Sequence, residues 1–471
     1  MRKKILFTII FLAFLAGLII MSFYHENWRD EAQAFLLCRD MNFFDFFKNI
    51  HYEGHPIFYY LFLFPLVKLG FGPKSVNILS FVFMSIAVYL IIFKTDLKSW
   101  KKIILILNYP VLYEFSVIGR SYSLVFLLLI IFGIIYPKRF EKPISFAIVL
   151  GCLLNTHLLM VGFVVFNIVL YIYELLKSNR KLIKKRSLII ASIVISLFFI
   201  ILIISFYPVL LGNNSFSFNF IDYLNVLAIL TFCVTFEFSI IKVLLLSICI
   251  IIIIFIYIFL NDKKMFLLLL FNQIYMSLLL YIKVPITPYF CSLSYVLLLI
   301  ILFFVVFKEK TTNKYIMFAI ILITILSIIK TVDMYIYDIK YDYSTGKTTA
   351  VFIKKNISKD SIFLCNADSV CSTFIPYINN KFYHLNSNRY FTYIIWDKER
   401  EKKIDLEKIK KFISKNKNVY YIYINTGYED DIKFLDNMKE YYSLKSVYIM
   451  NEKNYCNERY EIYKIERKKY D

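Results

Sequence analysis

The sequence predicts an α-helical polytopic membrane protein of about eleven transmembrane helices, with amphipathic helices in its first exoplasmic loop and a small α/β domain at its C-terminus. Three observations predict it. Of the 471 residues, 59% are hydrophobic and the mean hydropathy is +0.63, above the roughly 45–50% apolar share of soluble domains. The apolar residues arrive in blocks such as ILFTIIFLAFLAGLIIMSF and SLIIASIVISLFFIILIISFY, each near the roughly 20 residues with which a helix crosses the hydrocarbon. Residues 336–471 then shift to Lys, Asn, Asp, Glu and Tyr, so the chain divides into a membrane domain, 1–335, and an exoplasmic domain, 336–471.

Spans are expected near 5–23, 75–93, 103–118, 121–136, 144–155, 158–176, 187–207, 239–260, 265–282, 289–307 and 315–335. The start MRKK followed by an apolar run lacks a convincing cleavage site and reads as an uncleaved first helix. PIFYYLFLFPLVKLG at 56–70 is short for a crossing, carries Pro65 and Lys68, and reads as interfacial or re-entrant. Leaving it out places KTDLKSWKK, PKRFEK, KSNRKLIKKR, NDKK and KEKTTNK on the side of the N-terminus, as the positive-inside rule requires. The net charge of +21 therefore reports orientation and anionic-lipid contact, not a nucleic-acid partner. An odd count puts 336–471 outside. There LEKIKKFISKN has helical spacing, while VYYIYIN and SVYIM are rich in residues that suit strands, giving an α/β module of fewer than seven strands.

The eight cysteines are scattered, and Cys38, Cys152, Cys233, Cys249 and Cys291 lie in or near apolar segments, so neither a zinc site nor a disulfide framework is expected. Polar residues concentrate instead in the first loop, 24–55, where Phe43, Phe46, Phe47 and Ile50 share one helical face. A segment of this kind lies flat at the lipid–water boundary and holds Asp30, Glu31, Arg39, Asp40 and Glu53 where a lipid head group is presented. Asp30 and Glu31 are candidate catalytic carboxylates, since transfer to a hydroxyl needs a base. They equally suit the first turn of a helix, where the dipole favours acids.

HYEGHP sets His51, Glu53 and His55 at alternate positions, a spacing that could ligate a divalent metal in an extended segment. The same residues read as polar substrate contacts, or as a loop-to-helix corner with Gly54 at the turn and Pro56 at the first helical position. The sequence identifies no cofactor, and a divalent metal stays an open option. YEFSVIGRSYS adds Tyr113, Glu114 and Arg120 near the outer ends of two expected spans; Arg120 suits bidentate phosphate binding or an interfacial anchor. LNTH adds Asn155, Thr156 and His157, and KVPITPY adds Lys283.

WRDEAQAFLLCRD, HYEGHP, YEFSVIGRSYSL and LNTH, in that order over about the first 180 residues, resemble the C-type membrane glycosyltransferases, nearest the bacterial protein mannosyltransferase and lipid A aminoarabinose transferase groups. The resemblance implies a many-helix fold with long exoplasmic loops and a polyprenyl-phosphate sugar as donor. It also implies an acidic motif of the first loop at the reaction centre, matched here by Asp30 and Glu31. The family's histidine and proline match His55 and Pro56, and Arg120 takes the place of a polar residue near the donor phosphate.

The expected reaction is a single displacement that inverts the anomeric carbon of a hexosyl or pentosyl group. A first-loop carboxylate deprotonates an acceptor glycan, lipid or protein while Arg120, with Lys283, stabilises the leaving phosphate. A flippase for lipid-linked sugars would carry charges within its spans, and few occur here. A polysaccharide polymerase or ligase uses related chemistry, and a non-catalytic sensor is the third alternative. No nucleotide-binding fingerprint occurs in the chain. Cysteines introduced singly at 24–55 or 336–471 should react with an impermeant maleimide from outside, and those at 177–186 only after permeabilisation. Outside labelling at 177–186 refutes this topology.

Overall fold

The computed structural model describes residues 2–53, 55–177, 185–210, 219–232, 241–283, 288–306, 314–424 and 429–468. The chain forms two compact units, one of residues 1–20, 54–59 and 79–335, the other of 21–53, 60–78 and 336–471. Residues 336–471 thus fold together with the first loop and the segment after it.

Among the described residues, six helices are long and apolar enough to cross a membrane: Arg2–Tyr24, Ser75–Lys94, Leu158–Lys177, Lys185–Phe206, Lys263–Ile282 and Lys314–Lys340. Five shorter apolar helices accompany them: Tyr122–Lys138, Pro143–Leu154, Phe220–Thr231, Ile248–Asn261 and Phe290–Val306. The protein is a polytopic membrane protein. Helices over 143–154 and 185–210 pack closely at Gly151, where a side chain would run into the ring of Phe198, and Asn155 Nδ2 donates to the carbonyl of Phe198 at 2.9 Å.

Two expectations need correction. The span expected at 103–118 is not one helix: Ser99–Ile106 ends, and a separate π-helical turn runs Pro110–Glu114. Pro110 has no N–H to continue the ladder, and the amide of Asn108 turns back to donate to the carbonyls of Ile104 (3.2 Å) and Leu105 (2.7 Å). The helix Phe220–Phe232, absent from the expected spans, is short at 13 residues and carries Asp222 and Asn225, so its apolar run falls below crossing length. Tyr60–Lys68, within the doubtful 56–70 stretch, is nine residues, about 14 Å at 1.5 Å per residue, far short of a roughly 30 Å core.

The second unit opens with Arg29–Asp40 and Phe43–Asn49, followed by a 3₁₀ turn, Ile50–Tyr52. Of the shared face, Phe46 and Ile50 are buried while Phe43 stays exposed. The C-terminal sheet has six strands among the described residues, β1 (Ile362–Cys365), β2 (Lys381–His384), β3 (Arg389–Phe391), β4 (Val419–Ile424), β5 (Tyr442–Met450) and β6 (Tyr460–Arg467), in the order β3-β2-β1-β4-β6-β5. β1 is parallel to β2 and β4, and the remaining pairs are antiparallel. As one of the two central strands, β1 is buried throughout. The helix Leu406–Lys415, capped by Asp405 on the Lys408 N–H, lays Ile409 and Ile413 on the core with Leu364, Tyr421 and Met438.

The cysteine reading is also corrected: Cys365 and Cys371 form a disulfide between the end of β1 and the helix Asp368–Cys371. Their sequence spacing resembles no framework, and only the turn that follows β1 brings them together. Cys38, Cys152, Cys249 and Cys291 are free, while Cys233 lies outside the described residues.

Candidate functional site

In the second unit a buried ion cluster is built on His25. Its Nε2 lies 3.0 Å from Glu31 Oε2 and its Nδ1 3.1 Å from Asp338 Oδ2, and all three side chains are fully shielded from water. Burial alone would depress the imidazole, but attraction from Glu31 and Asp338 outweighs it and lifts the pKa to about 9. His25 is therefore an imidazolium at neutral pH, donating from both nitrogens. Glu31 is saturated: Oε1 accepts the Asn77 amide at 2.7 Å, and Oε2 accepts the Trp28 N–H at 3.2 Å as well as His25. The third residue of the Arg29–Asp40 helix thus reaches back to an N–H that has no partner within the helix.

Asp30 is differently placed. Its side chain is 22% exposed, and Arg29 Nε donates to it at 2.8 Å. Of the adjacent carboxylates, Glu31 is committed to the fold and Asp30 keeps access to solvent.

The same unit holds groups the sequence did not single out. The Lys74 ammonium donates to the carbonyl of His25, and its pKa is lowered by burial against the pull of Glu31. Glu26 lies 3.4 Å from Lys347, and its carboxyl is pushed up to about 7 by burial and by Asp342. Its Oε2 is buried with no hydrogen-bond partner among the described residues. His25, Glu26, Lys74, Asn77, Asp338 and Lys347 come from three distant stretches. The one available signal was Asp338, an acid near the end of a long apolar helix, where charge is costly.

Glu53 also belongs here, accepting from Gln33 Nε2 at 2.9 Å. His51 sits half-buried in the 3₁₀ turn, its pKa lowered by burial. His55 falls in the other unit and Gly54 outside the described residues, so HYEGHP does not assemble as one ligand set. Among the described residues no group of three or more His, Cys, Asp or Glu side chains is arranged to hold a metal.

In the first unit, Arg120 Nη2 donates to His55 Nε2 at 2.8 Å, and the His55 ring stands 5.5 Å from that of His157. Arg120 is held by its backbone: its carbonyl accepts from Ser123 Oγ at 3.0 Å, just ahead of the Tyr122–Ile135 helix. The Phe58 N–H donates to the Asn155 carbonyl at 3.0 Å, tying the segment of His55 to that of His157. Burial, reinforced by His55 and Arg120, holds His157 well below the usual imidazole range, so it is neutral. Its Nδ1 accepts the Leu159 N–H at 3.2 Å, which assigns the proton to Nε2. That Nε2–H is buried with no partner among the described residues. A guanidinium beside an unspent imidazole N–H presents donors only, the chemistry of an oxyanion site.

Tyr113 is taken up by packing, 5.8 Å from the rings of Tyr109 and Tyr335, and Glu114 is buried at the end of the π-helical turn. Thr156 Oγ1 bonds back to the Cys152 carbonyl at 2.7 Å. Lys283 closes its helix, and its side chain lies outside the described residues, as does the VPIT that follows it.

No family model matches the chain, and no curated protein matches it in sequence. In three dimensions it is similar to the crystal structure of ArnT from Cupriavidus metallidurans in the apo state, with a TM-score of 0.59 and 10% identity over 97% of this chain and 97% of that one. At that identity the likeness is one of fold, and it extends over membrane and C-terminal parts alike.

The His25 cluster predicts a pH dependence. The folded pKa of about 9 exceeds the ordinary 6.5, so the stability it contributes is full below about 6.5 and is lost as pH rises through about 9. His25→Ala leaves two carboxylates buried without their cation, at about 3–5 kcal/mol. Thermal unfolding from pH 6 to 10 should show wild type losing stability over that window and the variant losing less; parallel curves refute the imidazolium.

Proposed function

We propose that the chain is a membrane glycosyltransferase that moves a sugar from a polyprenyl-phosphate donor to an acceptor hydroxyl on the exoplasmic side. The observation that carries this reading is the agreement in fold with ArnT over nearly the whole chain. It reaches, through coordinates alone, the aminoarabinose transferase group that the first-loop motifs resemble. The Cys365–Cys371 disulfide supports an exoplasmic C-terminal part, since such bonds persist in oxidising compartments.

In the proposed reaction the acceptor oxygen forms a bond to the anomeric carbon from the face opposite the phosphate, and Asp30 takes its proton. The bond from that carbon to the phosphate oxygen breaks with its electron pair, releasing polyprenyl phosphate and inverting the centre. Charge grows on the departing phosphate. By their chemistry Arg120 and the Nε2–H of His157 are the groups assigned to it, donors of the kind that stabilise charge developing in a transition state. His55 positions the guanidinium. Glu31 acts through the fold: tied to His25 and Asn77, it holds the helix that presents Asp30. The acceptor is a glycan, lipid or protein, and the chemistry assigned to these residues needs no metal.

Mass spectrometry of lipids co-purifying with the protein should find a polyprenyl-phosphate sugar; bulk phospholipid alone counts against the donor. Asp30→Asn should cut turnover about 100-fold to 10,000-fold with folded yield kept, whereas Glu31→Gln should lose about 3 kcal/mol of stability and less turnover per folded molecule. Near-normal turnover in Asp30→Asn rules it out as the base. Arg120→Lys keeps the charge but not the planar two-donor grip, so donor affinity should fall by about tenfold; unchanged affinity leaves Arg120 an interfacial anchor.

A further inference from the structure

Gln33 stands one helical turn after Asp30 on the Arg29–Asp40 helix, so the two side chains share a face. Its Nε2 donates to the Ile394 carbonyl at 2.8 Å, and its Oε1 accepts the Ile394 N–H at 2.8 Å. A side-chain amide bonded both ways to one backbone residue fixes the position and the direction of that strand of chain. These groups are buried, where losing a partner would leave an unsatisfied polar group. Residues 393–396 are thereby tied to the helix face that carries Asp30.

Two residues beyond Ile394 is Trp396, 39% exposed. The Arg400 guanidinium lies 4.3 Å from its ring centroid, and Asp368 holds that guanidinium by bonds of 2.6, 2.9 and 3.2 Å. Next to it in sequence, Asp397 is gripped bidentately by Arg389, at 2.6 and 3.0 Å. A large ring left in water yet held against fixed groups contributes little to a core. Arg400 covers part of one ring face, and the exposed remainder offers apolar surface beside neutralised, planar hydrogen-bonding groups, a combination that matches a sugar ring, whose C–H face is apolar and whose edge carries hydroxyls. The paired charges suit a neutral sugar better than an anion. Tyr393, half-buried, adds a phenol held protonated by burial and by Asp40 and Glu53.

The geometry points to a carbohydrate-binding platform on residues 393–400, where Trp396 stacks on one sugar of a glycan acceptor whose reacting hydroxyl reaches Asp30. It rests on the glycosyltransferase reading, which leaves the acceptor open. The reach is bounded by three segments, at most about 7 Å for the two residues from Trp396 to Ile394, the Gln33 side chain with its 2.8 Å bond to Ile394, and about 5.4 Å for the helical turn from Gln33 to Asp30, a path that an oligosaccharide of several sugars spans.

The test uses the full chain in detergent, a polyprenyl-phosphate sugar radiolabelled in the sugar, and membranes of the producing cell at graded concentration as acceptor. In Trp396→Ala the acceptor concentration at half-maximal rate should rise about three- to tenfold, with maximal rate and donor affinity unchanged, and Trp396→Phe should restore most of the loss. Wild-type acceptor dependence in Trp396→Ala, or in Trp396→Leu, which keeps bulk without a ring, overturns the platform. So does a parallel loss of donor affinity, which would mark a structural role. A wild type that neither binds the donor nor transfers its sugar sinks the glycosyltransferase reading itself, whereas transfer with acceptor dependence insensitive to Trp396 sinks the platform alone.

Discussion

The imidazolium of His25 lies between two carboxylates that are 307 positions apart in the chain, Glu31 and Asp338. Each of the three charges would be costly to bury alone, and the penalty is offset only when all are in place with their hydrogen bonds made. The end of the first apolar helix, the first-loop helix and the end of the last apolar helix are therefore specified together. Successive residues of a helix point about 100° apart, so pinning Glu31 inward turns the adjacent Asp30 away from the cluster. The solvent access of Asp30 follows from the burial of its neighbour.

His157 shows the opposite balance. Around His25 two carboxylates overcome desolvation, whereas His157 has a second histidine and a guanidinium beside it, which push in the same direction as burial. One histidine is a cation that binds the fold together, the other a neutral donor with its N–H unspent. Residue type does not distinguish them.

The departures from regular helix follow the same economy of backbone groups. In a membrane, interrupted helix is tolerated where the freed carbonyls find partners or are buried in protein. The Asn108 amide supplies partners before Pro110, and Tyr113 and Glu114 are buried in the turn that results. Gly151, inside the unbroken helix over 143–154, serves packing instead: the lack of a side chain admits the Phe198 ring, and nearby Asn155 reaches a carbonyl of the neighbouring helix.

By itself the sequence determined the class of the molecule, because apolar blocks of crossing length have no other burial, and in the C-terminal part it picked out β4, β5 and the Leu406–Lys415 helix, whose local composition and spacing mark them, but not the other four strands. It singled out Asp30, Glu31, His55, Arg120 and His157 because charged and polar groups are conspicuous beside apolar runs. Only the tertiary structure decided which of the two acids is committed to the fold, since that depends on His25, Asn77 and Asp338. It alone paired Cys365 with Cys371, replaced a span at 103–118 by a broken helix, and tied Ile394 to Gln33. These are contacts between residues remote in sequence or turned toward each other by local backbone geometry, and periodicity carries no record of them.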